Sequence, residues 1–88
     1  MSFNVEEYNE NINRQVEENS DPKTIRMDVP QYVYDILEES AQEWDTHKTN
    51  AFIRLVRTGD FLRAVEKSDS QIILRDQDGN ESIISLGA

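Results

Sequence analysis

Thr24-Ile25-Arg26-Met27-Asp28-Val29-Pro30 has the most distinctive pattern in this 88-residue chain. Apolar and polar side chains alternate along it, which predicts a β-strand with two unlike faces. The apolar face holds Ile25, Met27 and Val29, and the polar face holds Thr24, Arg26 and Asp28. One strand cannot satisfy its own backbone hydrogen bonds. It must therefore pair with strands near the C-terminus or with its own copy in a second chain.

Two amphipathic helices are predicted after this strand. The first runs from about residue 30 to 44, and the second runs from about 50 to 67 after a short turn. Their apolar stripes include Ile36 and Leu37 in the first helix and Ile53 and Val56 in the second. Gly59 lies inside the second helix, where glycine costs about 1 kcal/mol relative to alanine. Either the helices approach closely there or the second helix breaks at this residue.

The segments on either side of this core have contrasting patterns. Residues 1–23 carry six acids and two bases and form an acidic extension. Asn4 and Glu7 form a capping pair that predicts a short helix over about 5–18. Such an extension is either a frayed tail or a helix that orders on a partner. Residues 68–88 predict a β-hairpin.

The predicted hairpin has a clear turn signal between its strands. The strands cover 71–75 and 81–86, and residues 76–80 have the pattern of a type I turn followed by a left-handed glycine. The sequence thus divides into an extension (1–23), a strand-helix-helix core (24–67) and this terminal hairpin (68–88). The predicted class is α+β.

Composition limits the functions that this chain can perform. The net charge is −9, with no cysteine and one histidine, so thiolate sites and histidine-dependent catalysis lack their residues. We expect no enzyme activity, no cofactor and no metal site. No apolar run has the length of a membrane span, and the first residues lack a signal-peptide pattern. These features predict a cytoplasmic protein that does not enter a membrane.

The order of strand, helix, turn and helix resembles the ribbon-helix-helix family of DNA-binding proteins (the Arc/MetJ type). The resemblance covers residues 24–66, and Phe52-Ile53-Arg54 matches the apolar-Ile-Arg run of the family's second helix. Asn50-Ala51 stands where the family more often has serine and an acid. The resemblance implies a homodimer in which two strands pair as an antiparallel ribbon and enter the major groove of double-stranded DNA.

The resemblance also implies a role for each group of residues. The base-reading residues would be Thr24, Arg26 and Asp28. The phosphate-binding residues would be Lys48, Thr49 and Asn50, at the start of the second helix. The shared dimer core would contain Ile25, Met27, Val29, Ile36, Leu37, Ile53 and Val56.

Two functional hypotheses follow, and one structural alternative competes with both. The first is a homodimeric DNA-binding transcriptional regulator, acting as a repressor on a short palindromic site. The second is an antitoxin-like or other protein-binding adaptor that engages a protein partner through residues 1–23 or 68–88. The structural alternative is a monomeric α+β domain in which residues 24–29 pair with the terminal hairpin.

Overall fold

A computed structural model describes residues 3–84 of the chain. Three helices precede a two-stranded antiparallel sheet, so the predicted α+β class is confirmed. The helices are α1 (Val5–Glu18), α2 (Gln31–Glu43) and α3 (Lys48–Lys67), and the strands are β1 (Ile72–Arg75) and β2 (Glu81–Ile84). The predicted order, with a strand ahead of two helices, is not matched because both strands follow the last helix.

Helix α1 forms over the residues where its sequence predicts it. The Asn4 side-chain oxygen accepts a hydrogen bond of 3.0 Å from the Glu7 backbone N–H, which satisfies one of the free donors of the first turn. Glu6 and Glu7 also place negative charge at the positive end of the helix dipole. The local capping pair therefore sets where α1 begins.

Residues 20–30 form neither helix nor strand, so the strand predicted over 24–29 is wrong for the single chain. All eleven residues of this segment are exposed. The sheet of the described residues contains β1 and β2 alone, so pairing of 24–29 with the terminal hairpin is also absent. A strand needs a neighbour to accept and donate its backbone hydrogen bonds. Within 3–84 the chain supplies no such neighbour to this segment.

Helix α2 begins after Pro30, which is its N-cap, and ends in a Schellman motif. The Thr46 N–H donates to the Ala41 carbonyl at 3.0 Å, and the Asp45 N–H donates to the Gln42 carbonyl at 3.2 Å. Asp45 takes the left-handed position of this motif with φ 49°. Glycine is the usual residue there because it has no Cβ to clash with the backbone.

Helix α3 is continuous from Lys48 to Lys67, and it begins two residues before the predicted start at Asn50. Gly59 lies in its interior, so the predicted alternative of a break at this residue is wrong. Close helix approach is not seen either, because a β-carbon at Gly59 would have no neighbouring atom within 4 Å. Gly59 thus lies on an open part of α3.

The terminal hairpin is confirmed, with strands β1 and β2 in antiparallel register. The register pairs Ile72 with Ile84, Ile73 with Ile83, Leu74 with Ser82 and Arg75 with Glu81. Ile73, Leu74 and Ile83 are 52, 61 and 68% exposed, and they lie on both faces of the hairpin. Ser85 and Leu86, predicted as the end of the second strand, lie outside the described residues.

The hairpin turn is organised by the Asp76 carboxylate. It accepts hydrogen bonds of 2.9 Å from the backbone N–H groups of Asp78 and Asn80. The bonds from Asn80 and Asp78 hold the pKa of Asp76 below its ordinary range, and the Asn80 backbone N–H has the largest effect. Gly79 donates to the Asp76 carbonyl at 3.1 Å and has φ 84°, as the predicted left-handed glycine requires.

Few side chains of the described residues are buried, and the chain divides into two compact units. One unit holds residues 3–19 and 59–84, and the other holds 20–58. The buried apolar residues are Ala41 and Ala51 in the second unit and Val65 in the first. No helix within 3–84 combines the length and the apolar character needed to cross a membrane. Neither unit encloses a large buried side chain.

The left-handed residue at the end of α2 gives a test of this geometry. We expect Asp45→Gly to raise the free energy of unfolding by about 0.5–1 kcal/mol, because relief of the positive φ outweighs the added freedom of the unfolded chain. Thermal unfolding followed by circular dichroism should show a midpoint higher by roughly 2–8 °C. Glu39→Gly, in the interior of α2, is the control and should lower it. A lower midpoint for Asp45→Gly would contradict the Schellman geometry.

Candidate nucleic-acid interface

The predicted base-reading residues are all accessible in the structure. Thr24, Arg26 and Asp28 lie in the exposed segment 20–30, without a hydrogen bond or ion pair to another described residue. The chain therefore leaves the donors and acceptors of all three side chains available to another molecule. These three residues alternate with apolar residues in the sequence. The polar and apolar side chains lie on opposite faces only when the segment forms a strand.

The predicted phosphate-binding residues lie together in the first turn of α3. The first hydrogen bond of this helix runs from the Ala51 N–H to the His47 carbonyl at 3.0 Å. The N–H groups of Lys48, Thr49 and Asn50 precede it, so they have no carbonyl partner within the helix. The Asn50 side chain donates to the Thr46 hydroxyl at 3.2 Å. Three backbone donors and the positive end of the helix dipole thus meet at one place.

The Lys48 side chain already has partners in its own chain. Its Nζ donates to the Tyr34 hydroxyl at 2.7 Å and lies 3.4 Å from the Glu38 carboxylate. The same Nζ lies 4.9 Å from the centroid of the Tyr34 ring. The Tyr34 hydroxyl, and to a lesser extent Glu38, raises the pKa of Lys48 above its ordinary value. Lys48 is therefore cationic at neutral pH, but Glu38 offsets much of its charge.

A cleft of about 390 Å³ lies beside Lys48, between the end of α2 and the start of α3. Its lining residues are Glu38, Ala41, Gln42, Asp45, Thr46, His47 and Lys48. Two carboxylates line it, so it is not a simple anion pocket. Among the residues that the structure describes, no group of three or more histidine and acidic side chains is arranged to hold a metal ion.

Trp44 has a partner that the sequence did not indicate. The Arg54 guanidinium lies 3.9 Å from the centroid of the Trp44 ring, which is close enough for a cation–π interaction. The ring is half-buried. Trp44 thus connects the end of α2 to α3 through Arg54, and this face of the ring is covered.

Positive charge is concentrated on one helix of the described residues. Helix α3 carries five of the nine bases and only two acids, a net charge of +3. Helix α2 carries four acids and no base. Arg57 is exposed on α3 and has no ion pair among the described residues. Counting charge by predicted element instead of by chain half would have identified this basic helix.

The acid excess of the chain lies mainly outside the unit that holds these residues. Residues 20–58 contain seven acids and five bases, a net charge of −2. The rest of the chain contains eleven acids and four bases, a net charge of −7. The overall value of −9 is therefore a poor guide to the field around residues 24–58.

The predicted dimer-core residues are mostly accessible in the single chain. Leu37 is half-buried, whereas the other six are exposed: Ile25, Met27, Val29, Ile36, Ile53 and Val56. These apolar side chains surround a unit whose buried residues are two alanines. A large apolar surface without a cover marks a protein-protein interface or a binding surface.

The N-terminal extension contacts α3 within its own unit. The rings of Phe3, Tyr8 and Phe61 form a cluster with centroid distances of 5.3–5.7 Å. The Tyr8 hydroxyl donates to the Asp60 carboxylate at 2.7 Å, and Arg63 donates to the same carboxylate at 2.7 Å. Arg63 first, and then Tyr8, lowers the pKa of Asp60. The start of the predicted extension thus packs against α3 of the same chain.

Comparison of the sequence and the structure with known protein families, with curated proteins and with solved structures finds no match. The functional proposal therefore rests on the geometry of the described residues.

The Tyr8–Asp60 contact predicts a measurable change in the titration of one carboxyl. Arg63 and Tyr8 both stabilise the ionised carboxylate of Asp60. Their contribution to the stability of the folded chain is therefore complete above the ordinary aspartate pKa near 3.8. It is lost as the pH falls through the lower pKa that Asp60 has in the folded chain. We expect Tyr8→Phe to raise the pKa of Asp60, as measured by NMR titration of its carboxyl carbon. Arg63→Gln is the comparison and should raise it further, since Arg63 has the larger effect. An identical pKa in Tyr8→Phe and the wild type would exclude the contact.

Proposed function

We propose that this chain is one subunit of a homodimeric ribbon-helix-helix DNA-binding transcriptional regulator. Residues 24–29 of two subunits pair as an antiparallel ribbon that enters the major groove. The observation that carries this proposal is an alternating segment that has no strand neighbour among residues 3–84. Its apolar residues Ile25, Met27 and Val29 are 64, 58 and 42% exposed. Pairing would satisfy the backbone groups of the segment and bury these three side chains together.

The exposed helix residues extend the same argument to the shared core. Ile36 on α2, together with Ile53 and Val56 on α3, is about half exposed, so these residues leave apolar surface uncovered in the single chain. In the proposed dimer they pack with the apolar face of the ribbon. Four helices then enclose one core, which supplies the burial that a chain of this length does not reach alone.

The polar face of the ribbon would make the contacts that specify the DNA sequence. Alternation places Thr24, Arg26 and Asp28 on the side opposite the core. Arg26 suits a bidentate contact with guanine, Thr24 can bond several bases, and Asp28 can accept from the amino group of cytosine. A dimer offers each of these side chains twice, so a palindromic site is expected.

The first turn of α3 would position the DNA backbone. The free N–H groups of Lys48, Thr49 and Asn50 converge there and favour a phosphate oxygen. Because Glu38 neutralises much of the Lys48 charge, the backbone donors carry this contact more than the Lys48 ammonium does. Few cations therefore reach the phosphates, and the affinity should depend only weakly on salt concentration.

The charge distribution makes such binding feasible in an acidic protein. The unit that holds the ribbon carries −2 of the total −9. Arg57 and Arg54 add positive charge on α3. Since the field at a surface falls off within about 8–10 Å at physiological ionic strength, the local charge decides more than the total.

The alternative function is a protein-binding adaptor, and one observation favours it. The terminal hairpin exposes isoleucine and leucine side chains on both of its faces. An isolated two-stranded hairpin is marginal in water, so a protein partner would stabilise it. In this alternative the hairpin (72–84) engages the partner and the dimer acts as a platform, as in an antitoxin.

A mobility-shift assay distinguishes the regulator from the adaptor. The probe is the DNA directly upstream of the protein's own coding region, measured at two salt concentrations with a scrambled sequence as competitor. The regulator predicts a specific shift that survives the competitor. No shift at either salt concentration, with an intact dimer, would reject DNA binding and favour the adaptor.

Arg26→Ala tests the assigned face of the ribbon. We expect specific binding to weaken at least about 30-fold, because each lost guanine contact is worth about 1–3 kcal/mol and the dimer loses two. The thermal midpoint should not change, since the side chain is exposed. Lys23→Ala removes one positive charge outside the ribbon and should preserve specificity. If Arg26→Ala lowers stability and leaves DNA binding intact, Arg26 faces the dimer core and the assignment of the polar and apolar faces of the ribbon is wrong.

Met27→Asp tests the dimer itself. A carboxylate on the apolar face would be buried without a partner in the ribbon, so the dimer dissociation constant should rise more than about 100-fold. Sedimentation equilibrium should then report a species near 10.2 kDa instead of one of about twice that mass. Asp28→Asn, on the polar face, is the control and should remain dimeric. A dimer that tolerates Met27→Asp would place the interface elsewhere.

A further inference from the structure

Two arginines on α3 have no acidic partner among residues 3–84. Arg54 and Arg57 are exposed, and neither makes an ion pair or a hydrogen bond to another described residue. The chain has eighteen acids and nine bases, so a shortage of carboxylates does not explain this. Lys48 on the same helix, by contrast, lies 3.4 Å from the Glu38 carboxylate. The N–H donors of both guanidinium groups are therefore available to an anion from outside the chain.

Arg54 is held in place by an aromatic ring. Its guanidinium carbon lies 3.9 Å from the centroid of the Trp44 ring. An arginine that packs over an aromatic ring keeps its N–H donors available for a second contact. The ring also restricts the side chain before a ligand arrives, so an anion that binds to Arg54 has less of the side chain to immobilise.

Both arginines continue the face of α3 that begins with Asn50. At 100° per residue, Asn50, Arg54 and Arg57 lie within about 60° of one another around the helix. At a rise of 1.5 Å per residue, Arg54 lies about 6 Å and Arg57 about 10.5 Å beyond Asn50 along the helix axis. The free N–H groups of the first turn and the two guanidinium groups therefore follow one another along one face.

The charges on this part of α3 favour an anionic ligand. The first twelve residues of the helix, 48–59, contain three bases and no acid. Glu38 offsets the charge of Lys48, which leaves Arg54 and Arg57 as the sources of net positive charge on this part of α3. Because charges at a surface act over about 8–10 Å at physiological ionic strength, these two arginines dominate the field beside them.

We propose that Arg54 and Arg57 bind phosphate groups, and that Trp44 positions Arg54 for this contact. The planar guanidinium group matches two phosphate oxygens in a bidentate contact. The adjacent first turn of α3, with its free N–H groups, also favours phosphate. The DNA backbone supplies the phosphate if the proposed function is correct, and this source rests on that function. A free phosphorylated molecule is the other source.

The salt dependence of DNA binding tests the first source. Each arginine occurs twice in a dimer, so four contacts give a slope of only about −3.6 in log affinity against log salt. Arg54→Gln or Arg57→Gln should each reduce this slope by about 1.8. Affinity should fall at least about tenfold for the specific and the scrambled sequence alike, because phosphate contacts do not read bases.

Arg14→Gln is the matched control for both arginine variants. Arg14 lies on α1, is exposed, and has no ion pair among the described residues. This variant changes the net charge by the same amount as Arg54→Gln and Arg57→Gln. It should leave both the slope and the affinity unchanged, since its charge lies outside the proposed site.

Variants of Trp44 separate positioning from charge. Trp44→Leu keeps the net charge and removes the ring beside Arg54, so DNA affinity should fall about 5- to 30-fold through two lost cation–π contacts per dimer. Trp44→Phe retains an aromatic face and should restore most of the affinity. Wild-type affinity in Trp44→Leu would show that Trp44 does not position Arg54.

The fluorescence of Trp44 tests the site without DNA. Trp44 is the one tryptophan of the chain, so its emission reports on the surroundings of Arg54. The probe is pyrophosphate, titrated at constant ionic strength with sodium chloride as the balancing salt. We expect a saturable change in emission in the wild type and in Arg14→Gln. The change should be absent in Arg54→Gln and Arg57→Gln.

The outcomes separate this inference from the proposed function. A smaller salt slope in both arginine variants would establish DNA as the source of the phosphate. A pyrophosphate response that needs both arginines, with an unchanged slope or without DNA binding, would assign the site to a free phosphorylated molecule. Specific DNA binding with neither effect would overturn the inference and leave the regulator intact. Absence of both DNA binding and the pyrophosphate response would overturn both.

Discussion

Within the described residues no strand lies beside residues 24–29, so this segment becomes a strand only if another molecule pairs with it. The other features of residues 20–58 are consistent with this requirement. The apolar side chains of the segment are exposed, the helices that follow it expose apolar residues of their own, and only two alanines are buried among them. A second copy would provide the missing hydrogen bonds and the missing core at once. Folding of this unit and association of the subunits are then one process, and stability depends on protein concentration.

The uneven distribution of charge bears on the proposed binding of nucleic acid by this acidic chain. Helix α3 is basic, helix α2 is acidic, and Glu38 of α2 holds Lys48 of α3 beside Tyr34. The ion pair fixes the lysine at the start of α3, but it also reduces its attraction for phosphate. What remains at this helix end is a set of backbone donors, whose strength does not depend on the net charge of the protein. Specific contacts can therefore dominate over non-specific attraction.

Sequence patterns predicted the elements that are determined locally. Asn4 caps α1 through a residue three positions away, and Asp76 organises a turn that Gly79 completes, so both signals lie within a few residues. The predicted start of α3 lies two residues too late because several residues between 45 and 50 can cap a helix. The residue at the left-handed position of the Schellman motif is Asp45, which lacks the glycine signature that would have located the end of α2.

The sequence did not predict contacts between residues that are far apart along the chain. The alternation of 24–29 indicates a strand, but whether a strand forms depends on a partner that no local pattern specifies. Tyr8 and Asp60 are 52 positions apart, and nothing in either segment predicts their hydrogen bond. The candidate site shows the same division. The sequence placed Lys48, Thr49 and Asn50 at the start of a helix, whereas the contacts of Lys48 with Tyr34 and Glu38 required the structure.

The hairpin that ends the described chain also bears on solubility. Its two strands leave both outer edges unpaired, and its isoleucines are exposed on either side. The Arg75–Glu81 ion pair, at 2.8 Å, places charges only at the end next to the turn. Charged side chains discourage edge-to-edge stacking of sheets, and among the described strand residues they lie only at the turn end, not around Ile72 and Ile84. Edge-to-edge association of two hairpins would therefore begin at the end that holds Ile72 and Ile84.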